Sequence, residues 1–492
     1  MAVCICLAAS GAAADDQPQW GQKFSRNMIS SETGLVDDFD PASGKNVKWT
    51  AALGDETWAT PVVAQGKVFI GTNNQTPRDP RHDGDRGILM CFNEDDGAFL
   101  WQLAVPKLGP DPYLDWPRSG IPSPVTVEGG RIYAVSNRNE VICLDIHGQS
   151  NGNDGPYVDE GLHMGIGTDT VYEITPKDAD ILWIFDVPNQ AGTYPHDAAH
   201  SSILLDGDFL YLNTSNGVDN THRQIRKPDG PSLIVLDKRT GRLLARDREG
   251  IGPRIFHSTW SSPALGVVNG RKLIFFGGGD GVVYAFDALD SIPPDGEIAA
   301  LKCVWRFDCD PAAPKENVHQ YVRNRKESPS NIKGMPVFFQ DRIYVAVGGD
   351  IWWGKNQAWL QCIDASKSGD ITSSGLVWKN EMTRHCCTTP AICDGLVFIA
   401  DCAGLVHCID AETGETCWTH ETRHEIWASP LAADGKIYIG TKQKNFLIFA
   451  ADREKKLIRE IRMDSPIAAT AVAANGVLYV TTMEKLYALE KQ

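Results

Sequence analysis

The stretch TPAICDGLVFIADCAGLVHCIDAETGETCW, residues 389–418, decides the fold. It opens on Thr389 and Pro390, passes through a short apolar run, turns at Asp394 and Gly395, and continues as LVFIAD. It turns again at Gly404, runs through LVHCID, and meets the turn ETG before Trp418. Apolar side chains alternating with period two, interrupted by Gly and Asp, read as short strands joined by tight turns. The same order recurs along the chain. Aligned on the Pro390 slot, copies begin near Pro61, Pro124, Ser202, Pro263, Pro336, Pro390, Pro430 and Ala471. The last two intervals are 40 and 41 residues and the earlier ones 54 to 78. A minimal period of about 40 residues, lengthened by loop insertions, is that of a four-stranded propeller blade.

The sequence therefore predicts an all-β, eight-bladed β-propeller of four-stranded antiparallel blades. The last repeat ends at Leu489 after only three strands, whereas residues 38–49, DFDPASGKNVKW, carry the turn and Trp of a fourth strand and no first three. That amino-terminal strand is expected to complete blade eight, because joining the chain ends in one sheet leaves no free edge. The expected organisation is a signal peptide over 1–14, a lead-in over 15–37 and one propeller over 38–492.

The signal-peptide reading rests on AVCICLAASGAAA, residues 2–14, an apolar run ending in small residues, although a basic start is missing. It places the mature protein in the periplasm or outside the cell. No other stretch approaches the roughly 18 apolar residues needed to span a bilayer, so no transmembrane segment is expected. Of 492 residues, 42% are apolar and 22% charged, an ordinary globular composition. The 63 acidic residues outnumber the 47 Lys and Arg, giving a formal charge of −16 and no long basic run. A nucleic-acid partner is excluded on that ground, since a phosphate backbone would be repelled. The 13 cysteines fall to an odd number, eleven, once Cys4 and Cys6 leave with the signal, so a complete disulfide framework is not expected. Cys143, Cys362 and Cys408 each stand two residues before an Asp in the repeat, where Ala285 and Ala488 stand in other copies. They read as small buried hydrophobes.

Trp49, Trp101, Trp183, Trp305, Trp378 and Trp418 follow the outer turns, a position from which a large ring can pack between neighbouring blades. Ala245 and Arg459 occupy that slot in blades three and seven, whose junctions should pack differently. The segment AETGETCW, residues 411–418, and its degenerate copies resemble the tryptophan-docking motif of the PQQ-like β-propellers. That superfamily includes quinoprotein dehydrogenases and the non-enzymatic outer-membrane assembly lipoprotein BamB. The resemblance covers residues 20–490 and speaks for fold more than function, because the motif is a packing device that enzymes and scaffolds share.

In such a blade the loops between strands two and three, and those between blades, emerge on one face, where rigid scaffolds place function. That face collects Trp58, Trp260 and Trp427, each three residues before a Pro slot, with Asn73, Asn137, Arg138, Asn216, Asp280, Lys333, Asp350, Trp353 and Lys355. Their mixture predicts a solvated funnel that binds a small-molecule ligand or an envelope protein partner without catalysis. The insertion 147–180 is expected on the opposite face. Three subsets point to alternatives. His196, Asp197, His200, Asp219, His222 and His257 offer imidazoles and carboxylates suited to a metal ion and a metal-dependent enzyme. Cys386 and Cys387 are adjacent, with Cys387 in the slot of the three Trp residues. The resemblance implies that such a pair lies against PQQ, with Trp260 or Trp427 facing it and Ca2+ on the quinone. The resemblance assigns neither the Glu–Asn calcium pair nor the catalytic Asp of quinoprotein dehydrogenases to residues of this sequence, and their long Trp–Tyr–Asp signature is absent. Finally, GGGDG at 277–281 and GGDIWWGK at 348–355 follow strands without a helix, so they read as tight turns rather than a phosphate loop, with Trp352, Trp353 and Trp359 as a sugar-stacking platform.

Overall fold

Short alternating runs can bury one face only by stacking on another sheet, and in the computed structural model, which describes residues 15–492, eight antiparallel sheets do so around one axis. The blades span residues 62–106, 126–186, 204–246, 264–308, 337–382, 391–421 and 431–462, and the eighth joins 472–489 to the strand Val47–Ala52. In that last sheet Val47–Ala52 lies antiparallel to Lys485–Leu489, with Trp49 opposite Ala488 and Ala52 opposite Lys485. Residues 1–14, including the signal-peptide reading and Cys4 and Cys6, lie outside the described residues. Among the described residues, no helix is long and apolar enough to cross a membrane.

The core is a set of slabs between blades, and the docking tryptophans hold them together. The indole N–H of Trp49 donates to the carbonyl of Glu94 at 2.8 Å, Trp101 to Ile146 at 3.2 Å, Trp305 to Ala365 at 3.1 Å, Trp378 to Ala411 at 3.0 Å and Trp418 to Asp452 at 3.0 Å. Each ring thus reaches the outer turn of the following blade, which buries apolar area and satisfies the one polar atom it carries. The turn must come close enough to touch the ring. At Gly414, with φ +75°, a Cβ would sit 2.5 Å from the Trp378 ring. Gly414→Ala combines a left-handed backbone with that collision and is expected to cost about 1–3 kcal/mol. A denaturant melt at unchanged midpoint would contradict this. In blade seven, Arg459 pairs instead with Asp38 at 3.4 Å, while Leu35, Val36 and Phe39 fill the junction with blade eight.

Residues 15–32 have no repeat register, yet they bond to all eight innermost strands or their ends. Main-chain carbonyls of Gln17, Pro18, Phe24, Ser25 and Met28 accept from Val63, Val127, Leu265, Phe338 and Ala432 in blades one, two, four, five and seven. The Asn27 amide pairs with both main-chain groups of Ile392 in blade six, and Glu32 accepts from the Asn475 and Gly476 amides in blade eight. Arg26, fully buried, donates to Ser202 Oγ and the Ser202 carbonyl in blade three, to Pro263 O in blade four and to Trp20 O. Every inner strand has one unpaired edge facing the axis, and this segment caps them all.

The 147–180 insertion departs from the expected placement. It wraps the outer wall, with Gln102 of blade one exchanging main-chain bonds with Lys177 and Ala179. It then reaches the loop-rich face, where Arg86 donates to Met164 O at 2.8 Å and the rings of Tyr172 and His82 lie 4.6 Å apart. Unpaired outer-strand groups on blade one explain the detour, since they accept a partner that a bottom-face loop could not supply.

Candidate functional site

Each blade is entered from the loop-rich face, so a side chain three residues before the Pro slot points to the axis. Trp58, Trp260 and Trp427 use that slot, and with Trp20, Trp116, Trp352 and Trp353 they wall a cavity of about 530 Å³. Trp20 comes from the lead-in and forms the floor, its indole N–H donating to Thr470 Oγ1 at 3.1 Å. Trp58, Trp427, Trp352 and Trp260 follow one another with ring centroids 5.7 to 5.9 Å apart. At the mouth, Lys442 lies 4.9 Å over Trp427 and 3.8 Å from Glu425. Deeper, Lys333 lies 3.8 Å over Trp260 and 3.1 Å from the buried Asp350 carboxylate. Burial pushes the Glu56 carboxyl, also on the wall, upward from its ordinary value.

Three imidazoles meet at one side of this cavity. His196 arrives on the loop entering blade three, His222 on the loop between the second and third strands of that blade, and His257 on the loop entering blade four. One ligand nitrogen from each lies within 4.8 Å of the others. His196 Nδ1 bonds the Val218 carbonyl at 2.8 Å, leaving Nε2 to face His222 Nε2 at 3.1 Å. His257 Nδ1 bonds Asp350 at 3.1 Å, leaving its Nε2 facing Asp197 at 3.4 Å. The other Asp197 oxygen lies 3.4 Å from His196 Nε2. Burial, with the neighbouring imidazoles, drives the His196 pKa far down and that of His222 down to about 4, so both are neutral. Burial raises the Asp197 carboxyl. At Asp350 burial works in the same upward direction, but Lys333 and His257 outweigh it and hold the carboxyl well below the ordinary range.

The sequence profile of the family described as "Outer membrane protein assembly factor BamB" matches residues 32–288 and 356–492. The chain belongs to the BamB family of PQQ-repeat propellers. No curated protein matches its sequence significantly. Among solved structures, BamB from Moraxella catarrhalis superposes with a TM-score of 0.53 at 12% identity, over 90% of this chain and 96% of that one. The quinohemoprotein alcohol dehydrogenase ADHIIG from Pseudomonas putida HK5 gives 0.57 at 11% identity, over 96% of this chain and 80% of that one. The computationally designed protein Ika8 gives 0.51 at 11%, covering 90% and 99%. At these identities the three share a fold with this BamB-family chain and nothing finer.

Within this BamB-family ring the residues singled out from sequence divide. Trp58, Asp197, His200, His222, Trp260, Lys333, Trp353, Cys387 and Trp427 line the cavity. His196, His257 and Asp350 stand directly behind it. Asn137, Arg138, Asp280 and Lys355 do not reach it. Asn137 bonds Pro106 O and Asp115, Arg138 bonds Lys107 O, Asp280 pairs with Arg254 and Tyr284, and Lys355 with Asp310. Two members of the His and Asp set stand apart from the three clustered imidazoles. His200 turns to the Trp260 carbonyl at 3.4 Å with its ring edge-on to Trp20, and Asp219 accepts from Thr221 and Gln224 in its own turn. A bend at residues 196–197, with Asp197 at φ +63°, sends residues 196 and 200 to different sides, where a regular helix would have aligned them. Trp20, Tyr113 and Trp116 also line the wall, although no repeat slot marks them.

The cysteine pair is not bridged. Cys386 is buried with its sulfur toward the Arg384 carbonyl, whereas Cys387 on the cavity wall faces Cys402 Sγ at 3.8 Å. PQQ carries three carboxylates, and among the described residues the lysines on the wall are Lys333, paired with Asp350, and Lys442, beside Glu425. Glu56, Glu425 and Asp197 add negative groups to the same wall. The residues present do not fit that cofactor.

Proposed function

We propose that this chain is an exported, non-catalytic binding propeller that holds a small uncharged ring compound, of the carbohydrate class, in the axial cavity. The observation that carries the reading is the wall of seven tryptophans with carboxylates and lysines set among them. Indole faces take the flat apolar side of a sugar ring, and Glu56, Glu425 and Lys442 offer partners to its hydroxyls. Export is supported by the apolar run of residues 2–14 and by the description of the family.

Titrating the protein with neutral oligosaccharides while following tryptophan fluorescence tests this. Saturable quenching is expected, and Trp427→Ala should weaken binding about tenfold, the equivalent of roughly 1.4 kcal/mol, with the melting temperature little changed. A parent-like affinity in that variant, or no response to any uncharged ring compound, would sink the reading.

A further inference from the structure

The geometry points to a divalent transition-metal site built from His196 Nε2, His222 and His257 Nε2 with Asp197, its open coordination position facing the axial cavity. The argument starts from which atoms face one another. His196 and His257 each place Nδ1 against an acceptor, a main-chain carbonyl and the Asp350 carboxylate, so each presents the other nitrogen inward. His222 turns its Nε2 to His196 Nε2 at 3.1 Å. The His196 and His257 nitrogens and the Asp197 carboxylate are then acceptors facing one another, with His222 Nε2 beside them, all within a few ångströms at the cavity wall. His257 Nε2 and Asp197 Oδ1 are buried without any hydrogen-bond partner. A shared proton would relieve one facing pair. A divalent cation relieves all of them at once, and imidazole is the donor that zinc, cobalt and copper accept most readily.

Two further features belong to such a centre. The outer partners of His196 and His257 orient the rings and fix their tautomers, the support that metal-bound histidines ordinarily have. Asp197 and His222 are also held at φ +63° and +58°, a left-handed backbone that non-glycine residues adopt only where the surroundings enforce it. Both line the cavity, so a water or a ligand oxygen there has direct access to the ion. Three protein nitrogens, the Asp197 carboxylate and one exchangeable position on the cavity side make a five-coordinate site that can engage a ligand, unlike a four-coordinate structural site with no open position.

The site does not depend on the organic ligand, because metal uptake is read with none present. The full chain, freed of metal with a chelator and dialysed, is titrated with cobalt(II) and with zinc(II). One equivalent of cobalt per chain is expected, with a visible d–d band that azide shifts by entering the open position. His196→Gln, His222→Gln and His257→Gln should each abolish the band, Asp350→Asn should weaken cobalt binding by about 10- to 100-fold, and His200→Ala and Asp219→Ala should leave it intact. Near-ultraviolet circular dichroism identifies variants that keep the fold. His222→Gln, the least buried of the ligand substitutions, carries the test if the others unfold the ring. A wild-type protein that takes up no cobalt, or a band that survives loss of His222 in a folded variant, would overturn the proposal.

Discussion

Removal of residues 38–52 is expected to leave a chain that no longer melts in one cooperative transition. The deletion strips the outer strand from Lys485–Leu489 and exposes a full row of unpaired main-chain groups at the point where the ring meets itself. It also removes Trp49, whose ring packs between blades eight and one and donates to Glu94 O, together with Phe39 from the junction of blades seven and eight. Each such side chain contributes about 1.5–3 kcal/mol by burial alone, and the sum approaches the whole stability of a folded domain, about 5–15 kcal/mol. Calorimetry and limited proteolysis read the outcome, and a truncated protein that melts and resists protease like the parent would refute it.

Arg26→Met should cost about 3–5 kcal/mol, since each stranded buried acceptor costs about 1–3 kcal/mol and relief of the buried charge offsets part of the sum. The guanidinium is surrounded by neutral acceptors, the carbonyls of Trp20, Ser202 and Pro263 and the Ser202 hydroxyl, and burial lowers its pKa to about 9, so it remains charged at neutral pH. Methionine fills much of the volume but donates to none of them, which strands several buried acceptors in blades three and four. Arg26→Lys should recover only part of the loss, because one ammonium cannot reproduce the planar fork. The midpoint of denaturant unfolding measures both. A shift of less than about 1 kcal/mol for Arg26→Met would show that the lead-in merely rests on the ring.

The repeat made the propeller legible, because period-two strands and turn glycines recur eight times and errors in one copy are corrected by the others. The tryptophan wall was legible for the same reason, since Trp58, Trp260 and Trp427 share one slot. What lay outside the repeat was not. Trp20 and Arg26 stand in a segment with no period, and nothing local says that it runs beneath all eight blades. The histidines fall between these cases. Their residue types suggested a metal, but selecting His196, His222 and His257 over His200 and Asp219 required the path of two irregular loops, which is set by hydrogen bonds such as His196 to Val218. Asn137, Asp280 and Lys355 sat in loops of the expected face, yet partners from neighbouring turns held them away from the axis.

The hub of residues 15–32 also imposes an order of events. It precedes every blade in the chain, yet its last partners, the amides of Asn475 and Gly476, are made only when the final repeat is in hand. During synthesis its contacts are among the longest in sequence that the protein contains, and such contacts form late because loop closure must be met before they contribute. The segment made first among the described residues is therefore seated last. Only when the final repeat supplies Thr470 to the Trp20 indole is the floor of the axial cavity fixed.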